Sequence, residues 1–125
     1  MEIAKAEALK AVDRERGPVC EASDRIWDQP ETAFQEFHST DVLCELLEKE
    51  GFRVERNLAG IATAFSGTYG SGKPVVGILG EFDALSGLSQ ESESLEKTAL
   101  VDGAPGHGCG HNLLGTGSVA AAIAV

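Results

Sequence analysis

The chain has 125 residues and a mass of 13.1 kDa, which is enough for one domain with a buried core. Its 20 acidic and 10 basic residues give a net charge of −10 at pH 7, which argues against nucleic acids and anionic membrane surfaces as partners. No segment is long and apolar enough for a transmembrane helix, and the charged N-terminus lacks the apolar region of a secretory signal. We therefore expect a cytoplasmic protein.

The first thirty residues are typical of helical structure. Residues 3–16 have an amphipathic pattern that predicts a helix. We expect Gly17 and Pro18 to break or kink this helix, because proline lacks an N–H group and clashes with the preceding turn. A second helical stretch is predicted from there to about Trp27.

The next predicted elements are a helix and a short strand. Ser39, Thr40 and Asp41 are N-cap candidates for a helix that ends at Gly51, which suits the left-handed C′ position. Its apolar side carries Val42, Leu43, Leu46 and Leu47. Residues 52–55 alternate between apolar and charged side chains and predict a half-buried strand.

The middle of the chain predicts two further strands and a long loop. Residues 61–68 are interpreted as a strand, and the glycine-rich segment 69–73 as a hairpin connection. The continuous apolar run at 75–79 favours a strand that is buried on both faces. About twenty residues, 86–106, show no clear periodicity and predict a loop with an acidic, solvated cluster.

The last part of the chain has a different composition. Residues 104–125 contain no Asp, Glu, Lys or Arg, and the pattern from Asn112 onward predicts a buried helix without stop signals at Val125. Helix, strands and helix in this order form about half of an α/β layer fold. We therefore expect the N-terminal piece of a longer protein.

Three cysteines are too few, and odd in number, for a disulfide framework. Cys20 and Cys44 lie among apolar residues in helical patterns and are interpreted as small buried hydrophobic residues. Cys109 has a different setting because it lies between glycines, two residues before His111. In extended backbone these two side chains point to the same side, and a thiolate with an imidazole suits zinc best among common metals. A glycine-rich turn with a buried cysteine is the alternative interpretation.

Two carboxylates strengthen the metal-site hypothesis. Glu81 and Asp83 follow the apolar run, where α/β folds place their sites, and they alternate with Phe82 onto one side. Together with Cys109 and His111 they form a plausible mixed oxygen, nitrogen and sulfur ligand set. A solvated strand end is the alternative for each carboxylate.

Two other chemistries have weaker support in the residues. Residues 115–120 match G-x-G-x-x-A but lie inside the predicted helix, so dinucleotide binding is not favoured. A nucleophilic Cys109 with a histidine base is conceivable, but it needs a third group to orient the base, and the sequence indicates none.

The segments Gly80–Leu85 and Gly106–Leu113 together resemble the aminoacylase-type metallopeptidases. More narrowly, they resemble the amidohydrolase branch that contains aminobenzoyl-glutamate hydrolase and related dipeptidases. The similarity runs from about Ala22 to Val125 and includes Arg25-Ile26-Trp27 and the stretch from Pro30 to Glu36. The resemblance implies a partial three-layer α/β/α zinc-hydrolase-like catalytic domain. Residues 1–125 would be its N-terminal segment, C-terminally truncated and without the lid and dimerisation domain.

The resemblance also assigns roles to individual residues. Cys109 and His111 correspond to two metal ligands, and Asp83 to an acidic catalytic position that orients a ligand near the metals. His107 and Glu81 are expected beside the metal ligands, the latter at a position where the wider family often has a ligating histidine. Asn112 stands beside them, where many relatives have aspartate. Ser86 and Trp27 depart from the usual proline and histidine.

The implied reaction is hydrolysis of an amide bond by metal-activated water. The implied substrates are N-acyl amino acids, aminobenzoyl-glutamate-like amides or dipeptides. The implied cofactor is a divalent metal, with zinc first and manganese or cobalt as alternatives, at two ions per site in a homodimeric full-length protein. The glutamate base and the remaining ligands would lie downstream, so we expect this chain alone to be inactive. The alternatives are a non-enzymatic fragment that associates through its apolar tail, and a metal-independent cysteine hydrolase.

Overall fold

A computed structural model describes residues 2–125 and shows a mixed α/β fold. The elements in chain order are α1 (Glu2–Asp28), α2 (Phe37–Lys49), β1 (Arg53–Arg56), a single 3₁₀ turn (Leu58–Gly60), β2 (Phe65–Thr68) and α3 (His111–Ala124). The mixed α/β class is therefore confirmed, and the three-layer arrangement stays a prediction.

The core lies where the three helices meet. The second half of α1 packs against both α2 and α3, and β1 and β2 cover another side of α2. The buried apolar residues are Ala22, Ile26, Val42, Leu43, Leu46, Leu47 and Val119. The apolar side predicted for α2 is the one that faces this core, and Cys44 is buried beside it.

The predicted break at Gly17 and Pro18 is wrong, because α1 continues through both residues to Asp28. Pro18 lies on an exposed part of the helix surface, so its ring is not forced into the core. The lost backbone hydrogen bond is offset by burial of Ala22 and Ile26 on the following turns, which requires the helix to continue in register. Cys20, which was expected to be buried, is exposed on the outer face.

The helix α2 begins at Phe37, at least three residues earlier than the predicted N-caps require, and its first N–H groups are capped by a residue outside the helix. The Glu31 carboxylate accepts hydrogen bonds from the backbone N–H groups of His38 and Ser39 at 2.9 and 2.8 Å. This satisfies donors that the helix itself leaves free, so Ser39 and Thr40 lie within the first turn instead of capping it. The predicted end is confirmed, since Gly51 has φ +82° and its N–H donates to the Glu48 carbonyl.

The sheet is a single antiparallel pair. β1 and β2 are paired from Arg53 opposite Thr68 to Arg56 opposite Phe65. The strand predicted at 52–55 is confirmed to within one residue. The strand predicted at 61–68 is shortened, because residues 61–64 form a turn that the Ala64 N–H closes on the Ile61 carbonyl. The hairpin predicted at 69–73 is wrong, since β2 pairs with the strand before it and not with the residues after it.

The buried strand predicted at 75–79 is also wrong. The segment has no strand hydrogen bonds, and Val75 and Leu79 are 84% and 94% exposed. A strand acquires its hydrogen bonds only from neighbouring strands, and none of residues 2–125 pairs with this run. Apolar composition alone therefore did not determine its burial.

Residues 86–106 form the irregular segment that the sequence predicts, held by its own hydrogen bonds. The Gln90 side chain donates to the Glu96 carbonyl and accepts from the Thr98 N–H. The Ser89 N–H donates to the Ala104 carbonyl and closes the base of the segment. Among the helices of residues 2–125, none has the length and apolar character that crossing a membrane requires.

Candidate metal centre

Two backbone segments are held side by side at the start of α3. Leu85 and Gly106 exchange two backbone hydrogen bonds, from N to O at 3.0 and 3.1 Å, as an isolated antiparallel bridge. The preceding Ala84 N–H donates to the Glu31 carbonyl at 2.7 Å, which ties the first segment to the turn before α2. These bonds bring residues 81–83 next to residues 107–111.

Two glycines permit this approach. A Cβ atom at Gly106 would lie 2.2 Å from the Leu88 carbonyl oxygen, so only glycine fits against that backbone. Gly110 has φ +88° and directly precedes α3, where the chain turns from the loop into the helix. The glycine-rich sequence is therefore required by close backbone packing and by a left-handed turn.

His111 is the central residue of the site. Its Nδ1 lies 3.0 Å from the Asp83 carbonyl oxygen and 3.1 Å from the Asp83 carboxylate Oδ1. Both oxygens are acceptors when the carboxylate is ionised, so Nδ1 must carry a proton and donate it. A neutral imidazole then has its lone pair on Nε2, which is the arrangement that metal-binding histidines usually have.

The Nε2 atom faces two other candidate ligands. The Cys109 Sγ atom lies 3.6 Å from it, and the Glu81 Oε1 atom lies 3.5 Å from it. Sulfur and nitrogen ligands of one tetrahedral zinc ion, at about 2.3 and 2.0 Å from the metal, are separated by about 3.5 Å. The spacing of these donors therefore fits a shared ion.

The ligand set within this chain is nevertheless incomplete. Among residues 2–125, no group of three or more His, Cys, Asp and Glu side chains surrounds a common position in the way that a metal ion requires. Cys109 and Glu81 each lie near His111, and both have exposed side chains that face solvent. Further ligands would have to approach from that open side.

Phe82 lies on the opposite side from its two acidic neighbours, as the predicted alternation requires. Its ring packs against Phe65 with centroids 5.8 Å apart. A Cβ atom at Gly115 would lie 2.7 Å from the Phe82 Cβ, so α3 crosses this segment closely. The alternation thus persists without a strand, because Phe82 is anchored between β2 and α3.

His107 is buried beneath the site, apart from the candidate ligands. It is 3% exposed, neither ring nitrogen has a hydrogen-bond partner, and its ring centroid lies 6.4 Å from that of Trp27. Burial lowers the pKa of His107 below its usual value, because the charged imidazolium loses its hydration there. His107 is therefore a packed, neutral residue next to the ligand loop.

Asn112 ties the site to α1. Its side-chain amide donates to the Ser23 hydroxyl at 3.0 Å, while its Oδ1 atom is buried and has no partner. Sequence reasoning missed Ser23, because a serine 89 positions before its partner gives no local signal. It also missed Glu31, whose carboxylate caps α2 and whose carbonyl holds Ala84.

The chain is similar to two curated proteins, although no family model matches it. One is a subunit of the p-aminobenzoyl-glutamate hydrolase of Escherichia coli (strain K12), with 50% identity over 115 residues, which are 92% of this chain and 24% of that protein. The other is the human Xaa-Arg dipeptidase, with 28% identity over an alignment of 139 residues that includes all of this chain and 28% of that protein. The chain thus spans about a quarter of the length of these relatives.

Proposed function

We propose that the chain forms the N-terminal segment of the catalytic domain of a metal-dependent amidohydrolase. The chain belongs to the aminoacylase-type amidohydrolase family, in the branch of aminobenzoyl-glutamate hydrolase and related dipeptidases. The proposed domain is a three-layer α/β/α structure. The proposed substrates are N-acyl amino acids, aminobenzoyl-glutamate-like amides or dipeptides. The Escherichia coli relative is named as one subunit of a hydrolase, which supports assembly of the full-length protein with other chains. A homodimer and a location in the cytoplasm are further parts of the proposal.

The observation that carries the proposal is the orientation of His111. Asp83 accepts a hydrogen bond from the protonated Nδ1, which leaves the lone pair on Nε2, 3.6 Å from the Cys109 sulfur. A divalent ion at such a site supplies Lewis-acid activation of a water molecule and of the amide carbonyl. Cys109 and His111 would hold the ion, Asp83 would keep the imidazole in the ligating tautomer, and Glu81 would add an oxygen ligand or a hydrogen-bond acceptor.

Metal binding by the purified chain tests the proposal. Cobalt(II) is the probe because a thiolate ligand adds a charge-transfer absorption that nitrogen and oxygen ligands do not give. We expect that band to appear on titration and to be lost in Cys109→Ser. Cys20→Ser is the matched control, since Cys20 is an exposed thiol outside the site. A band that persists in Cys109→Ser, or no band in the wild-type chain, would contradict the proposed ligands.

The proposed orienting role of Asp83 predicts a smaller loss of metal affinity than the removal of a ligand. We expect Asp83→Asn to weaken cobalt affinity by about 10- to 100-fold without abolishing the thiolate band, because residues that orient a ligand typically contribute that much. His111→Ala removes a ligand and should weaken binding further. Equal affinity in Asp83→Asn and wild type would show that the Asp83 carboxylate does not orient the ligand and that the backbone carbonyl of residue 83 suffices.

We further propose that residues 1–125 alone do not hydrolyse amides. Among the described residues, no three metal-ligating side chains surround a common position, and the family resemblance places the glutamate base downstream of this segment. Incubation of the metal-loaded chain with p-aminobenzoyl-glutamate should release no aminobenzoate. Turnover by the wild-type chain that both a chelator and Cys109→Ser abolish would overturn this part of the proposal and leave the metal site standing.

A second candidate function is supported by the same three side chains. Cys109, His111 and Asp83 lie in the order nucleophile, base and orienting carboxylate, so the third group that a cysteine hydrolase needs is present. This candidate predicts amide or ester cleavage that survives a chelator and is blocked by alkylation of Cys109. The metal proposal predicts no activity under those conditions.

A further inference from the structure

An open cleft of about 890 Å³ lies between the end of α1, the acidic loop 91–100 and the start of α3. Four carboxylates line it: Asp24, Asp28, Glu91 and Glu93. None of these four takes part in the ion pairs formed by residues 2–125. No basic side chain from the described part of the chain lines the cleft. Unneutralised carboxylates around one concave surface produce a negative potential that concentrates cations.

A buried acceptor at the same cleft is an independent indication of a ligand. Asn112 lines the cleft and is 4% exposed, and its Oδ1 atom has no hydrogen-bond partner. In this orientation the amide nitrogen faces both the hydroxyl and the carbonyl oxygen of Ser23, so Oδ1 is the amide atom left without a partner. A buried acceptor without a partner is costly unless a donor reaches it. A ligand that brings N–H groups would complete it.

The lining favours an organic cation over a metal ion. The four carboxylates do not converge on a common position, since no three acidic, histidine or cysteine side chains among residues 2–125 are placed to hold an ion. The volume is far larger than the roughly 30 Å³ that a single water molecule occupies. Trp27 and Leu113 also line the cleft. An indole face attracts guanidinium and ammonium groups, and the leucine suits an alkyl stem.

We propose that this cleft binds an organic cation of the alkylguanidinium or alkylammonium class. The carboxylates accept its N–H groups, Asn112 Oδ1 accepts one more, and Trp27 packs against its face. The cleft adjoins the candidate metal centre, because Asn112 directly follows His111. Cation binding does not need the metal, so the two proposals fail separately.

Trp27 is the only tryptophan in the chain, so its fluorescence reports on the cleft directly. The probe is n-butylguanidinium, and its neutral isostere n-butylurea is the matched ligand control. We expect a saturable fluorescence change with the guanidinium ion that weakens as salt is added, and a much weaker response to the urea. Equal responses to both compounds would overturn the proposal. Saturation by Mg²⁺ at lower concentrations than by n-butylguanidinium would also overturn it.

Variants of the cleft carboxylates test whether the cation binds in the cleft. Asp24→Asn combined with Asp28→Asn should raise the dissociation constant of n-butylguanidinium about tenfold, because two charge-assisted contacts become neutral. Asp13→Asn is the control, since Asp13 is an exposed acidic residue of α1 outside the cleft. Circular dichroism of each variant verifies that it is folded. Equal affinity in the double variant, or equal loss in Asp13→Asn, would place the cation elsewhere. Cys109→Ser should bind the guanidinium ion as wild type does.

Discussion

Two apolar segments of this molecule differ in burial. The apolar residues of α2 between positions 42 and 47 are buried in the core, and Leu43 is only 1% exposed. Residues 75–79 are at least as apolar but lie in solvent. A helix satisfies its backbone hydrogen bonds internally, so α2 needs only an apolar surface to pack against. A strand needs neighbouring strands as well, and the run at 75–79 has none among the residues described.

In this chain, apolar segments are therefore buried where their secondary structure can satisfy its backbone hydrogen bonds. The three helices meet and form a core, and the short sheet is fixed on α2. The candidate metal centre lies between the packed helices and the exposed run at 75–79. His111 begins a packed helix, while Glu81 and Asp83 directly follow the exposed run. Substitutions in the two regions should therefore have very different effects.

The largest expected effect is the loss of a core leucine. Leu43→Ala should lower the free energy of unfolding by about 2–5 kcal/mol, since it removes buried apolar surface and leaves a cavity. The matched change Leu79→Ala, at a side chain that is 94% exposed, should change it by less than about 0.5 kcal/mol. Urea unfolding of both variants measures the contrast. Equal losses would mean that residues 75–79 are packed in solution.

Two glycines offer a similar contrast in backbone packing. Gly106→Ala should lower stability by roughly 2–4 kcal/mol, because the added Cβ meets the Leu88 carbonyl oxygen at 2.2 Å and the backbone must move. Gly77→Ala adds a methyl group to open space and should be neutral or slightly stabilising. Thermal unfolding of the two variants distinguishes them. A neutral Gly106→Ala would show that the bridge between Leu85 and Gly106 is not maintained.

Cys44 makes the packed region sensitive to alkaline pH. Burial raises the pKa of its thiol from 9.0 to about 11, so above pH 9 the unfolded chain releases a proton that the folded chain retains. Stability is therefore lost as pH rises from 9 towards 11, by at most about 1.4 kcal/mol per pH unit from this group. Cys44→Ala removes this contribution, and its stability should fall less steeply over that range. Identical slopes would indicate that the thiol is not buried.

The smallest expected effect on stability comes from a charge in the exposed run. Val76→Asp should leave the free energy of unfolding within about 0.5 kcal/mol of wild type, because the side chain has no packed neighbours to lose. The same change should reduce self-association at high concentration, which exposed apolar segments promote. Sedimentation velocity and urea unfolding measure the two effects. A large loss of stability would contradict the exposed position of this segment.

Sequence patterns predicted the elements whose signals are local. The apolar side of α2, the left-handed Gly51 and the strand at Arg53–Arg56 follow from short-range periodicity and turn chemistry. The exposure of residues 75–79 could not be predicted, because it depends on which strands are available to pair. The continuation of α1 through Pro18 depends on tertiary packing that follows it, which a single-residue signal does not report.

The candidate site was partly accessible to the same reasoning. Sequence spacing and alternation predicted that Glu81, Asp83 and Cys109 lie near His111. In the structure, each of these three side chains lies between 3.1 and 3.6 Å from a ring nitrogen of His111. Their roles as ligands and orienting group stay predictions. The hydrogen bond from Asn112 to Ser23 and the cleft beside it arise from residues far apart in the sequence, so no local motif indicates them.

The tautomer of His111 provides the sharpest test of the proposed metal centre. Long-range nitrogen-15 NMR of the metal-free chain distinguishes protonated from bare ring nitrogens, and the chain has only three histidines to assign. We expect His111 to carry its proton on Nδ1, held by Asp83, and Nε2 to shift on addition of zinc. In Asp83→Asn we expect a mixture of tautomers. A proton on Nε2 of the wild-type chain, or no Nε2 response to zinc, would contradict the proposed metal centre.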